Sequence, residues 1–370
     1  MAERHGSVSR TARVARFFRM RRSHLFGLLG LTVLTLPGLA IFVAHRRHRS
    51  LPESSALAPA ARPEGARTAE GTPVPTARHA RPRDLDVTFL MTTDTHVGYR
   101  GDVIGGHPSS GLGVDEARDL EIRTMNEIAG KSWPSALGGL VAEPRGVVIS
   151  GDLTEQGRPP EWASFEAIFG LTGKEGKLRY PVYEGAGNHD KWGGTYVEDQ
   201  ITRRHGGARY SWDWGALHMV CLGEAPNRAD LTWLRADLDA AGPDRGIILY
   251  LHFPLEGPNS TGNWFGDGDY RGPLAEVLAG REVLGIFNGH SHTSGHYPWR
   301  GYDAYLEGSV KHIWHSFAVV HVTQERMTVA SFNYDRQAFW WWHDKPIFGA
   351  PGESRQWFAE DAVLVGSPKK

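Results

Sequence analysis

Imidazole, carboxylate and carboxamide side chains follow five short apolar runs of this sequence, and together they have the chemistry of a metal site. The clusters are Asp94-Thr95-His96, Ser150-Gly151-Asp152, Gly187-Asn188-His189-Asp190, His252 and Asn288-Gly289-His290-Ser291-His292. Neutral imidazole and oxygen ligands without a thiolate favour borderline or hard divalent metals. A pair of such ions, sharing one carboxylate, can hydrolyse a phosphate ester. The residue types therefore predict a site for two metal ions.

Each cluster taken singly has an ordinary explanation. Gly-Asp is a common turn, Gly-Asn-His-Asp suits a loop with positive φ, and a lone His252 would be a structural histidine. The combination at five strand ends is what predicts the metal site. At the end of an extended strand, positions i and i+2 point to the same side, so Asp94 and His96 are expected to reach one ion. His290 and His292 repeat this spacing, although a turn could aim them at different ions.

The apolar runs are predicted strands that place the clusters, at 87–91, 146–149, 180–183, 247–251 and 283–287. Continuous apolar runs suit strands covered on both faces, and the binding crevice of such α/β sheets lies outside the carboxyl ends of the strands. Helices are predicted at 115–129, 160–169 and 229–240. Strands at 304–306, 316–322 and 327–334 are expected to complete a second sheet. Because no repeat or linker interrupts 84–345, this region is predicted to be one domain.

The first 83 residues are expected to be a targeting or membrane segment and not part of the folded domain. Residues 25–44 are an uncharged apolar run of 20 residues, about the length of a transmembrane helix. Six arginines between positions 10 and 22 against three between 46 and 49 favour a cytoplasmic N-terminus and an external catalytic body. The alternative is a signal segment that is cleaved, with the body exported. Residues 1–24 are then a basic cytoplasmic segment, 45–83 a disordered linker, and 346–370 a C-terminal tail.

Charge and composition narrow the partners. Residues 1–83 carry 15 Arg and four acidic residues, whereas the rest carries 26 basic and 38 acidic residues. An acidic body argues against nucleic acid as a partner.

The lone Cys221 excludes internal disulfides and is expected to be a buried small hydrophobe. The row Trp340-Trp341-Trp342 either packs over the sheet edge or contacts lipid at an interface.

The five clusters in this order resemble the signature of the calcineurin-like metallophosphoesterase superfamily, over about residues 87–295. The resemblance implies an α/β fold, a four-layer α-β-β-α sandwich with two facing mixed sheets. The segment Gly151–Gly157, Trp233-Leu234 and His252-Phe253-Pro254 are most similar to the class III cyclic-nucleotide and glycerophosphodiester phosphodiesterase branch. The Arg of the protein Ser/Thr phosphatases is absent from 151–157, and position 155 is Glu where purple acid phosphatases have a Tyr ligand.

The resemblance also implies a role for each residue. One ion would be held by Asp94, His96 and His292, the other by Asn188, His252 and His290, with Asp152 bridging both. His189 would contact the phosphate and steady or protonate the leaving group, and Asp190 would orient His189. The cofactors expected are two divalent or trivalent ions, with Mn, Fe or Zn favoured.

The function expected is hydrolysis of a phosphate ester, with a phosphodiester favoured, by in-line attack of a metal-bridging hydroxide. Two alternatives stay open: a phosphomonoesterase of the same fold, and a catalytically silent, membrane-tethered binding or scaffold protein. The substrate would be a small phosphorylated molecule, and an upstream anchor makes a lipid-derived one possible. The long loops 98–113 and 254–271 are predicted lids. His296 either lines the site or is a surface or supporting histidine.

Overall fold

A computed structural model describes residues 84–105, 111–255 and 270–359. Its helices are α1 (Val114–Asn126), α2 (Pro159–Phe169), α3 (Tyr196–His205), α4 (Arg228–Ala241) and α5 (Arg271–Leu278). Its strands are β1 (Asp86–Thr92), β2 (Val147–Ile149), β3 (Val182–Glu184), β4 (Tyr210–Trp214), β5 (Leu217–Cys221), β6 (Gly246–Tyr250), β7 (Val283–Asn288), β8 (Gly295–Trp299), β9 (Tyr302–Leu306), β10 (Ser316–Thr323), β11 (Arg326–Asn333), β12 (Ala338–Pro346) and β13 (Arg355–Phe358).

The strands form two mixed sheets that pack face to face. One has the order β13-β12-β11-β10-β1-β2-β3 and the other the order β4-β5-β6-β7-β9-β8. The ring of Phe89 in β1 lies 5.6 Å from that of Trp214 in β4 and 6.1 Å from that of Phe287 in β7. These aromatic contacts join the sheets, and two of the three strands involved, β1 and β7, lead into the polar clusters.

Strand β6 shows how a continuous apolar run serves two layers. Ile248 and Tyr250 belong to the core between the sheets, whereas Ile247 and Leu249 pack with the apolar faces of α4 and α5. Successive strand residues point to opposite faces, so both faces of β6 must be apolar. Helices α1 and α2 contribute their buried apolar residues to the same hydrophobic cluster as Ile248 and Tyr250. The predicted four-layer α-β-β-α sandwich with two facing mixed sheets is confirmed.

Two expectations about the later strands are wrong. Strands β10 and β11 do not complete a second sheet with β9; β10 pairs antiparallel with β1, from Asp86↔Thr323 to Met91↔Ala318. Residues 346–359 are also not a tail, because Ile347 and Phe348 are buried in the core and β13 pairs with β12. The burial of Ile347 and Phe348 and the addition of β13 to the edge of the sheet therefore extend the domain beyond 345.

The segments predicted at 1–24, 25–44 and 45–83 lie outside the described residues, and their predictions stand as made. No helix in the described ranges is both long and apolar enough to cross a bilayer. Cys221 is fully buried, as expected. The side chains Trp340, Trp341 and Trp342 are at most 6% exposed, and Trp341 Nε1 donates to Ser294 Oγ at 2.7 Å. Packing is therefore the interpretation that holds for this row.

Candidate metal centre

The polar clusters meet where the carboxyl ends of strands from both sheets come together. Backbone hydrogen bonds connect neighbouring loops: Asp94 N donates to Gly151 O and His96 N donates to Asp152 O, both at 2.9 Å. In the other sheet, Gly289 N donates to His252 O at 2.9 Å. Contact between the sheets is direct, because the backbone N–H of His290 donates to Asp94 Oδ2 at 2.9 Å.

The local geometry of Asp94 and His96 differs from the prediction. Strand β1 ends at Thr92, and Asp94 and His96 have φ of 52° and 39°. They reach the same place through two left-handed residues and not through strand alternation. An extended strand would have carried the chain past the site, whereas left-handed residues turn it sharply.

Two glycines are required because neighbouring side chains approach their Cα atoms closely. A Cβ at Gly187 would lie 2.2 Å from Asp152 Oδ1, and one at Gly289 would lie 2.0 Å from Thr93 Oγ1. Both distances are too short for any side chain. The glycines of the Gly-Asn-His-Asp and Gly-His-x-His clusters therefore let the loops pack against the two aspartates.

The structure brings the seven predicted ligands into two adjoining groups. One contains Asp94, His96, Asp152 and His292, and the other contains Asp152, His252 and His290, with the ligand atoms of each group within 4.8 Å of one another. Asn188 Oδ1 lies 3.1 Å from His252 Nε2 and so adjoins the second group. Asp152 is common to both groups. His290 and His292 fall into different groups, as a turn between them allows.

In each of Asp94 and Asp152, one carboxylate oxygen accepts hydrogen bonds and the other does not. Asp94 Oδ2 accepts from Thr93 Oγ1 at 2.7 Å as well as from His290 N, and Asp152 Oδ1 accepts from His189 N at 2.8 Å. Asp94 Oδ1 and Asp152 Oδ2 are buried and accept no hydrogen bond from the described residues. The protein thus orients both carboxylates and leaves one oxygen of each for another partner.

Imidazole nitrogens surround these two oxygens. Asp94 Oδ1 lies 3.1 Å from His292 Nε2, and Asp152 Oδ2 lies 3.3 Å from His252 Nε2 and 3.7 Å from His96 Nε2. The ring nitrogens of His96 and His292 are themselves 3.1 Å apart. A buried carboxylate oxygen without a partner is costly, and divalent cations between these oxygens and ring nitrogens would satisfy both. The donor set therefore fits two metal ions.

The pKa values of the site histidines show which rings are ready to bind metal. Burial, and then His252, lower the pKa of His290 to about 3, and burial with His292 holds the pKa of His96 well below its usual value. Burial also acts to lower the pKa of His252, but Asp152 and Asp94 outweigh it and raise that pKa to about 9. A metal ion would bind His96 and His290 without displacing a proton, and would compete with a proton at His252.

His189 lies beside the first group with its ring fixed in one tautomer. Its Nδ1–H donates to the backbone oxygen of Glu155 at 2.8 Å, and its Nε2 lies 4.0 Å from Asp152 Oδ2. Asp190 does not orient this ring as predicted. It accepts from Gly187 N, Leu153 N and Thr154 at 2.8–3.0 Å, because its buried side chain turns towards the loop after Asp152. Asp190 fixes that loop, and Glu155 fixes His189.

Glu155 and Lys311 also adjoin the centre, although neither was predicted as a site residue. Glu155 Oε2 lies 2.8 Å from His96 Nδ1, and Lys311 Nζ donates to both Glu155 oxygens at 3.0 Å. A carboxylate at Nδ1 favours the tautomer whose Nε2 can bind metal. The position of Glu155, three residues after Asp152, is a signal for it. Lys311, 156 residues further along the chain, gives no such signal.

His296 lies in neither group. On β8 its Nε2 lies 2.7 Å from Asp303 Oδ1, and its ring stacks on His343 with centroids 4.1 Å apart. Lys345 also binds Asp303. The contacts of His296 are therefore with Asp303, Tyr305 and His343 and not with the candidate ligands, so His296 does not line the site. The predicted lids at 98–113 and 254–271 include residues outside the described ranges, and they remain predictions.

The sequence is similar to known proteins over the region that contains these clusters. The family model described as calcineurin-like phosphoesterase matches residues 87–294. A probable cyclic nucleotide phosphodiesterase of Rhodococcus erythropolis is 31% identical over 60% of this chain and 69% of its own length. The glycerophosphodiester phosphodiesterase GpdQ of Enterobacter lignolyticus is 28% identical over 43% of this chain and 59%, less than two thirds, of its own length.

Solved structures with similar topology include a dimetal phosphatase from Danio rerio, at 13% identity and a TM-score of 0.46 over 73% of this chain and 98% of that one. GAP50, the anchor in the inner membrane complex of Plasmodium, has 13% identity and a TM-score of 0.49 over 71% and 89%. The family model alone spans more than half of the chain. The chain therefore belongs to the calcineurin-like phosphoesterase family, and it is a metal-dependent phosphoric ester hydrolase.

Proposed function

We propose that the protein hydrolyses phosphodiesters at a centre of two metal ions, with the division of ligands that the family resemblance implies. Asp94, His96 and His292 would hold one ion, Asn188, His252 and His290 the other, and Asp152 both. The observation that carries this proposal is the pair of buried oxygens, Asp94 Oδ1 and Asp152 Oδ2, that accept no hydrogen bond within the described residues and face imidazole nitrogens.

When bound, two such ions activate water as a nucleophile and neutralise charge that develops on the phosphoryl oxygens. The protein's own groups supply orientation and the proton. Because Nδ1 of His189 donates to the Glu155 carbonyl, its Nε2 is the nitrogen left to act on the substrate, and it can give a proton to the departing alkoxide when the ring enters the reaction as the doubly protonated imidazolium. General acid catalysis of this kind contributes about 10²–10⁴-fold. Asp190 holds the loops of Asp152 and Gly187 together.

Two observations favour a diester over a monoester. Both curated relatives are phosphodiesterases by name. The lysines of the site loops are also neutralised, because Lys311 binds Glu155 and Lys191 binds Glu224. A diester carries one negative charge at neutral pH, and a monoester carries nearly two. A site whose lysines are paired with carboxylates suits the less charged substrate.

The same site chemistry and the sequence of the first 83 residues lead us to propose which metals bind and where the protein is located. Mn, Fe and Zn are the favoured ions, because imidazole and carboxylate ligands suit all three. Residues 25–44 would anchor the chain, with the catalytic domain outside the cytoplasm, or would be cleaved on export. The apolar length and the arginine bias of the sequence support the anchor. A small phosphodiester, lipid-derived ones included, is the substrate class.

Hydrolysis of bis-p-nitrophenyl phosphate and p-nitrophenyl phosphate by the metal-free full chain, with and without added Mn²⁺, tests the function. We expect Mn²⁺-dependent turnover of the diester at a higher kcat/KM than the monoester, and loss of activity with chelator. Asp152→Asn should lose at least about 10³-fold, because a neutral amide cannot offset the charge of two cations. Faster turnover of the monoester would make the protein a phosphomonoesterase. A metal-loaded protein that turns over neither ester would be a scaffold.

A further inference from the structure

Trp192 is an exposed aromatic residue beside the candidate general acid. Its side chain is 58% exposed, and the other large apolar side chains of comparable exposure in the described ranges are Ile104, Leu140 and Trp357. An indole left in water forgoes much of the stabilisation that its large apolar surface would give on burial. An exposed tryptophan at the mouth of a site therefore calls for an explanation other than packing.

The indole of Trp192 covers one face of the His189 imidazole. The two ring centroids are 3.7 Å apart, with an angle of 30° between the planes. Another ring contact of His189 is with His96, whose centroid lies 4.6 Å away with the planes at 87°. His189 thus contacts both a metal-site histidine and Trp192. The exposed indole therefore adjoins the ring that the proposed function assigns to the leaving group.

The backbone holds Trp192 in this place. Its N–H donates to His189 O at 3.2 Å, and the following Gly193 packs so closely on the Asp152 loop that a Cβ there would lie 2.6 Å from Gly157 O. A fixed aromatic residue loses little conformational entropy when a ligand stacks on it. The position of the exposed indole surface is therefore set before a substrate arrives.

We propose that Trp192 is a specificity residue that stacks on the organic group leaving from phosphorus, and so selects phosphodiesters whose leaving group is flat and aromatic over those with a small aliphatic alcohol. This inference rests on the proposed function, because it assigns His189 to the leaving-group side. Aromatic stacking acts through the π face of a ring and accepts flat rings of different kinds. Trp192 therefore distinguishes flat leaving groups from aliphatic ones without recognising one particular ring.

Steady-state kinetics of Trp192→Ala, Trp192→Phe and the wild-type full chain with Mn²⁺ test the inference on two diesters. Bis-p-nitrophenyl phosphate has a flat leaving group, and glycerophosphoethanolamine has small aliphatic ones. We expect Trp192→Ala to lower kcat/KM for the aromatic diester about tenfold or more, chiefly by raising KM. The change for the aliphatic diester should be under about threefold, and Trp192→Phe should recover most of the loss because it keeps a flat ring.

Trp357→Ala is the matched control, because Trp357 is 45% exposed but lies on the edge strand β13. Trp357→Ala should leave kcat/KM unchanged for both diesters. A loss of kcat that falls mainly on the aliphatic diester in Trp192→Ala would mean that the indole only positions His189, because an aliphatic alkoxide needs a proton from His189 far more than p-nitrophenolate does, and it would overturn the inference. An unchanged kcat/KM on the aromatic diester would overturn it too. Failure of the wild type to hydrolyse either diester would instead reject the proposed function, and this inference with it.

Discussion

Five of the seven candidate ligands have a left-handed backbone conformation, which sets the direction of their side chains. Asp94, His96, Asp152, His290 and His292 have φ between 39° and 67°. Residues other than glycine in this region cost about 1–3 kcal/mol each and persist only where their surroundings enforce them. Backbone hydrogen bonds between the loops supply that enforcement, such as Asp94 N to Gly151 O. Contacts between the loops therefore help to position these ligands.

Glu155 should tune the metal centre through His96, and Glu155→Gln tests this. We expect the Kd for Mn²⁺ of the metal-free protein to rise about 10–100-fold, because a neutral amide supports the ligand tautomer of His96 less well than a carboxylate. Isothermal titration calorimetry measures the Kd independently of activity. Glu161→Gln is the control, since the hydrogen bonds of Glu161 Oε2 within the described residues come from the backbone N–H groups of Gln156 and Arg158. An unchanged Kd in Glu155→Gln would contradict the role.

At the scale of elements, a buried carboxylate joins strands of the two sheets. Glu307 follows β9 and is fully buried. Its Oε2 accepts from Ser294, Ser316 and Ser331 at 2.9–3.1 Å. Burial raises the pKa of Glu307 to about 8, and the three hydroxyl groups only partly oppose the rise. The folded protein therefore keeps this side chain protonated at pH values at which the unfolded chain has released the proton.

This raised pKa predicts a pH-dependent stability. Between the usual pKa of about 4.5 and the folded value of about 8, folding takes up a proton, so the contribution of Glu307 falls as the pH rises, by at most about 1.4 kcal/mol per pH unit. Glu307→Gln removes the titration and keeps the shape. We expect its free energy of unfolding, measured in urea, to gain on the wild type from pH 5 to pH 8.5. A constant difference across that range would refute the prediction.

At the scale of the whole molecule, the site depends on how the two sheets face each other. Strands β1 and β2 bring Asp94 and Asp152 from one sheet, and β6 and β7 bring His252 and His290 from the other. Phe89 lies at the contact of the sheets, fully buried against Trp214 and Phe287. The packing that stabilises the fold is thus also what closes the two ligand groups.

Phe89→Ala should lower the free energy of unfolding by about 3–5 kcal/mol, because the truncation removes buried apolar surface and leaves a cavity. Urea denaturation followed by tryptophan fluorescence measures the loss. Phe358→Ala, at the half-buried end of β13, should cost about 1 kcal/mol or less. Equal losses in the two variants would show that the sheet contact at Phe89 does not dominate stability.

The local sequence determined the features that depend on neighbouring residues. Buried strands need apolar residues on both faces. For this reason the predicted ends of all five ligand-bearing strands lie within two residues of the observed ends. Helix α4 was predicted from a different local pattern, because Leu231, Leu234 and Leu238 recur at helical spacing and are buried. Metal preference depends on ligand types, so the residues of the candidate site could be named without coordinates.

Tertiary structure decided what depends on residues far apart in the chain. Whether β10 pairs with β1 or with β9 is a choice among strands of similar composition, and only packing of the whole core selects one. The left-handed turns at Asp94 and His96 and the pairing of Glu155 with Lys311 likewise exist because distant loops enforce them. The sequence by itself therefore specified which side chains could bind metal, and the fold decided how they are turned, paired and supported, because those energies arise from contacts that no local pattern records.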